Sequence, residues 1–171
     1  MRRGEVEAEL AALLARLGQP NAGYALDLRP RGDGTPHVEG DGPFFELVVD
    51  ADGAETARET VDGHELVYRI IARTTRLMAM AEEERTRSEE APGWLVALRR
   101  IWPGALAGLV GTDDYSRMTW IEAHVRLMTH LRTDWGARVQ REHDAVLRKY
   151  PFTQDERKNR RRLDLSDFGL D

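Results

Sequence analysis

The sequence predicts an α+β fold: a small antiparallel β-meander packed against a helical layer, with a helix-rich C-terminal half. Three observations predict it. Apolar residues recur at steps of three and four near the N-terminus, from residue 63 and again from residue 114. Short alternating runs fill residues 24–61, and Gly/Asp turn clusters separate those runs at hairpin spacing.

Val6, Leu10, Leu13, Leu14 and Leu17 form the first helical stripe, with glutamates in its first turn and Gly18 placed to stop it. After the turn cluster of residues 18–23, Tyr24 to Leu28 alternates as a strand. Pro36 to Glu39 is brief, Phe44 to Val49 is strongly apolar, and Ala54 to Val61 is weaker. Gly32-Asp33-Gly34, Gly40-Asp41-Gly42 and Asp50 to Gly53 lie between them, so the meander has three or four strands.

A long helix follows over 63–90, with Leu66, Ile70, Ile71, Thr74, Leu77, Met78 and Ala81 as its buried side. Glu82 to Glu90 is almost wholly charged and reads as a solvated end. Residues 91–112 gather Trp94, Leu98, Ile101, Trp102 and Leu109 in a Gly/Pro-broken stretch, read as two short helices. Residues 114–152 then form a helical hairpin. Met118, Ile121, Val125, Met128 and Leu131 make one stripe; Trp135, Val139, Val146 and Leu147 make the other. The break falls near Thr133-Asp134, either of which can cap the second helix, and Pro151 ends it. Trp120 and Trp135 are expected to be mostly buried. The domain spans 1–152. Residues 153–171 carry five basic and five acidic residues without core periodicity and read as a charged, flexible tail.

The chain has 171 residues, 41% apolar and 32% charged, with no uncharged apolar run of the roughly 18 residues a membrane span needs. Acidic residues follow the N-terminal arginines where an export signal needs an apolar core, so a cytoplasmic location is expected. There are no cysteines, which excludes disulfides, thiol catalysis and thiolate metal sites. Of 25 basic residues only Lys149 and Lys158 are lysine, a bias of GC-rich bacterial genomes.

Charge is unevenly placed. Residues 1–63 hold 6 Arg against 13 Asp and Glu, a net of −7, whereas residues 64–152 sum to +2. The acidic half repels phosphates and argues against nucleic acid. It suits either a basic protein partner or a solvated acidic face. Asp50, Asp52, Glu55 and Glu59 are the candidates for such a partner surface, and Trp94 and Trp102 are candidate apolar anchors. For each of the four acidic residues taken singly, turn chemistry and a solvated strand face are the simpler account.

The chemistry-bearing residues form no familiar constellation. His37, His64, His124, His130 and His143 include no i, i+4 pair and no HExxH, and the three serines lie in no Gly-x-Ser-x-Gly elbow. The loop opening at Asp50 begins like a calcium site, but Val61 stands where the closing glutamate belongs. No catalytic residue, metal or cofactor is expected. Arginines on the hairpin alternate with acids, as on a solvated helix.

The order of elements carries a resemblance. Glu65-Leu-Val-Tyr68 opens the long helix, which runs to Glu83-Glu-Arg85. Asp114-Tyr-Ser-Arg117 leads to Trp120, Leu127-Met128, Trp135 and Arg138, and the chain closes on Leu147, Tyr150-Pro151-Phe152 and Asp155. This resembles the immunity protein 63 family of bacterial polymorphic toxin systems over roughly residues 23–155. The resemblance implies a non-enzymatic antitoxin that binds a sibling toxin domain, often a nuclease, and blocks it. Tyr68, Asp114, Arg117, Trp120, Trp135, Pro151 and Phe152 are the family-matched positions, read as structural; Asp114 and Arg117 have the three-residue spacing of a helix cap and an internal ion pair. His124 and Ser116 depart from the family pattern, which has glutamine and arginine there. A cytoplasmic interaction domain of unrelated role is the alternative.

Overall fold

In a computed structural model, residues 1–19, 33–52, 54–90 and 115–170 are described. They form α1 (Arg3–Arg16), β1 (Asp33–Glu39), β2 (Phe44–Ala51), β3 (Ala54–Asp62), α2 (Gly63–Glu90), α3 (Arg117–Leu131), α4 (Thr133–Lys149), α5 (Gln154–Lys158) and a 3-10 turn at Leu165–Phe168. The fold is α+β, as expected. The chain divides into two compact units, Met1–Thr74 and Thr75–Asp171, with α2 running from one into the other.

In the first unit α1 buries Val6, Leu10, Leu13 and Leu14, with Leu17 buried just beyond its end. Gly18 adopts φ +67°, donates to Ala15 O, and lets Gln19 N–H reach back to Leu14 O. Only glycine enters that left-handed region without cost, so the helix stops where the sequence places it.

The strands form one antiparallel meander in the order β1-β2-β3. Phe45 on central β2 is fully buried and pairs with buried Val61, while buried Val38 pairs with Leu47 on the same face. The ladder places Asp50 opposite Glu55 but Val49 opposite Ala57, so Thr56 is an extra residue in β3. Its hydroxyl donates to Val49 O at 2.9 Å. The expected strand over Tyr24–Leu28 lies outside the described residues.

β3 runs straight into α2, whose start is fixed by Glu65 N–H donating to the Asp62 carboxylate at 2.9 Å. The buried side of α2 differs from the expected one. Leu66, Ile71 and Thr74 are buried, but Leu77 is 46% exposed and Ala81 is exposed. The buried row is Val67, Ile71, Thr75, Ala79 and Glu83, an unbroken series of steps of four. Glu83, expected in a solvated end, is 2% exposed and accepts from Ser116 N–H at 3.2 Å.

In the second unit α3 and α4 form the expected hairpin, joined through the extended residue Arg132. Neither Thr133 nor Asp134 caps α4. Instead the Arg132 guanidinium donates to Asp134 and lies over the Trp135 ring at 4.8 Å. Trp120, Ile121, Leu127, Met128, Leu131, Trp135 and Val139 are buried. Val146, assigned to the second stripe, is 53% exposed, because the apolar contact of α4 is concentrated in its first half. Gly136 is buried there: a Cβ on it would stand 1.9 Å from Thr129 Oγ1 and 3.0 Å from Thr129 Cα. Helix α4 meets α3 at a point that admits no side chain.

Residues 153–170, expected as a flexible tail outside the domain, are built into this unit. Thr153 and Glu156 form a reciprocal capping box that starts α5. Leu163 and Leu170 are buried, and Arg161 N–H donates to Thr119 Oγ1 at 2.9 Å. The stretch lacks helical periodicity because its anchoring is polar, through backbone and capping groups, with two isolated leucines.

Candidate functional site

The pleat of the meander creates two chemically different faces. The register places Val38, Phe45, Val49 and Val61 on one face and His37, Phe44, Glu46, Val48 and Asp50 on the other. Glu39, Arg58 and Thr60 join the second set by register. Thr56 then shifts the pleat of β3 by one residue, so Glu55, opposite Asp50, also lies on the Phe44 face.

On that face carboxylates are held around buried Val48 and His37. Arg58 donates through Nε and Nη2 to both Glu55 oxygens, at 3.0 and 2.8 Å, and through Nη1 to Glu39 at 2.8 Å. Glu46 accepts from Thr60 Oγ1 at 2.8 Å. Buried His37 stands between two acids, with Nδ1 3.2 Å from Asp50 and Nε2 3.4 Å from Glu39. The hydrogen bonds of Arg58 hold Glu55 and Glu39 below the usual carboxylate range, with His37 adding to the effect on Glu39. Among the described residues of the three strands, Arg58 is the one guanidinium on this face against Glu39, Glu46, Asp50 and Glu55, of which it binds Glu39 and Glu55, so these residues sum to a negative charge.

The four acidic candidates read from the sequence are not one patch. Asp50 and Glu55 lie on the Phe44 face. Asp52 sits at the hairpin turn with φ +54°. Glu59 falls on the Phe45 face, where Arg69 of α2 grips both its oxygens at 2.6 and 2.7 Å and also donates to Glu65. Glu39, Glu46, Phe44 and Arg58 were missed. Strand alternation through Phe44, Glu46 and Asp50 was the available signal. Trp94, Trp102 and Asp114 lie outside the described residues.

The remaining family-matched positions are held in the second unit, apart from Tyr68, which is buried in the first. Arg117 forks onto the Glu156 carboxylate, donates to Tyr150 O at 3.2 Å and Pro151 O at 3.0 Å, and lies over the Phe152 ring at 5.6 Å. This clasp pushes the Glu156 carboxyl down to about 2, chiefly through the Arg117 hydrogen bonds. Trp120 N–H donates to Tyr115 Oη at 3.2 Å, and its ring meets Arg76 on one side and the edge of His143 on another. His143 Nε2 lies 2.9 Å from His124 Nδ1, an imidazole pair bridging the hairpin. Trp135 packs under Arg132. Beside Trp120 an open apolar groove is lined by Leu77, Met80 and Tyr115.

Among the described residues no three His, Asp or Glu side chains are grouped to hold a metal ion, and no helix is long and apolar enough to cross a membrane. Comparison with known families sets the chain among the immunity proteins. Residues 41–145, more than half of its length, match the family described as Immunity protein 63, and the chain belongs to that family. The matched stretch contains β2, β3, α2 and α3, hence Phe44 and Arg117, but not Glu156. No curated protein and no solved structure matches the chain.

Proposed function

We propose that the protein is a cytoplasmic antitoxin that binds a sibling toxin domain and neutralises it by occupying its surface, without catalysis. Family membership supports the toxin-binding role. The single structural observation that carries the mode of binding is the anionic Phe44 face, where Glu39, Glu46, Asp50 and Glu55 lie on one side of the sheet with Arg58 as the one arginine among the described strand residues there. Such a face complements a basic surface, and a nuclease toxin has one in the cleft that holds phosphates. Inhibition of this kind needs area and a few anchors rather than a reacting group.

Glu39, Glu46 and Glu55 are already held by Arg58, Thr60 and His37 in the free protein. Docking therefore costs them little conformational entropy, which favours a preorganised electrostatic contact. Co-expression with the product of the neighbouring gene, first checked for toxicity on its own, is the direct test. The reading predicts restored growth and a stable complex of the two chains. Undiminished toxicity with both proteins soluble would overturn it.

A further inference from the structure

Among the described residues of the first unit, Phe44 is the one large hydrophobic side chain that is exposed, at 63%. It stands at the start of the central strand, next to fully buried Phe45, so the pleat sends one ring into the core and the other into solvent. Across the ladder it faces Asp62, whose carboxylate is occupied by the N-terminus of α2. Beyond it on the same face lie Glu46, buried Val48 and Asp50, with Glu39, buried His37, Glu55 and Arg58 alongside. The core does not need this ring, and strand propensity would be met equally by a threonine. A bare aromatic among oriented carboxylates has the composition of an interface centre with a charged surround.

We propose that Phe44 is the anchor of the toxin contact, inserted into an apolar pocket that is bordered by Lys or Arg side chains on a basic protein surface. This rests on the antitoxin reading and adds to it the point of insertion and the chemistry of the receiving pocket. The ring supplies contact area, and the carboxylates select a partner whose pocket is rimmed with positive charge. Lipid and nucleic acid are both disfavoured as occupants, because their phosphates would meet Glu39, Glu46 and Glu55.

The experiment measures binding of the adjacently encoded toxin domain to wild type and to Phe44→Thr, alongside the melting midpoint of each free protein. The proposal predicts unchanged melting, because the ring is exposed, and a Kd at least tenfold weaker through faster dissociation. Phe44→Tyr should bind within a few-fold of wild type. Because the natural chain has no cysteine, Phe44→Cys gives a unique thiol whose alkylation, read on the intact chain by mass, should slow at least tenfold under saturating toxin. Threonine binding within two-fold of wild type, or an alkylation rate indifferent to toxin, would overturn the anchor and leave the antitoxin reading standing. Failure of the wild-type protein to bind would overturn both.

Discussion

Arg117 and Glu156, 39 residues apart in sequence, form a two-pronged ion pair that ties the start of α3 to α5. The same guanidinium takes the carbonyls of Tyr150 and Pro151, so one side chain closes the end of the α3–α4 hairpin. Because the pair is largely buried and the fork is matched to the carboxylate, Arg117→Ala or Glu156→Gln should destabilise by about 2–3 kcal/mol. Arg117→Lys should recover little, since an ammonium cannot make the paired contact. Chemical unfolding of the three variants checks this.

The same pair sets an acid limit. The folded Glu156 carboxyl titrates near 2, below its ordinary value of 4.5. A depressed carboxylate contributes stability that is full above the unfolded pKa and is lost as pH falls through the folded one. Urea midpoints should therefore decline between about pH 4.5 and 2 in the wild type, and less steeply in Glu156→Gln. Parallel curves for the two proteins would contradict the assignment.

His143 supplies a second, milder pH dependence. Burial and then the positive charge of Arg76 lower its pKa from 6.5, while Glu142 and Asp144 oppose the shift. The unfolded chain therefore takes up the proton first, so stability declines as pH falls below about 6.5 towards the folded value. Replacing His143 with glutamine should flatten that decline, as read from melting curves at several pH values.

Gly136 is a packing constraint. Its Cβ position collides with Thr129 Oγ1 and also crowds the Thr129 backbone, so rotating the hydroxyl does not clear the site. Gly136→Ala should lower stability by about 1–3 kcal/mol, despite alanine's better helix propensity. A stabilised variant would show that the helices separate freely.

Trp120 and Trp135 are buried on α3 and α4. Truncating either to alanine should cost about 3–5 kcal/mol in equilibrium unfolding. Wild-type melting of both would contradict the core described above.

Much of this architecture is legible in the residue pattern because it rests on burial. The stripe from Val6 to Leu17, the stop at Gly18, both hairpin tryptophans and the hairpin break follow from period and turn chemistry. What escapes the pattern is where geometry overrides apolarity. The buried row of α2 passes through Thr75, Ala79 and Glu83, while the more apolar Leu77 and Met80 are exposed. The C-terminal stretch is held by Arg117, Arg126 and Thr119 acting on distant groups, which leaves no local period. On the candidate face, Glu55 joins Asp50 because a single extra residue at Thr56 shifts the pleat, whereas Glu59 is turned towards Arg69. Strand alternation marks Phe44, Glu46 and Asp50 as neighbours, yet sequence offers no count of where a bulge falls.

The central claim is that the anionic Phe44 face meets the toxin. Stopped-flow association of the adjacently encoded toxin domain with Glu39→Lys/Glu46→Lys/Glu55→Lys tests it most directly. A control reversing Asp134, Glu142 and Asp155, all in the second unit, carries the same change in net charge. The account predicts an on-rate roughly ten-fold or more below wild type at low salt for the sheet variant alone. That deficit should shrink as the screening length contracts to about 8 Å at physiological ionic strength. Equal association rates for the sheet variant and the control at low salt would contradict the claim.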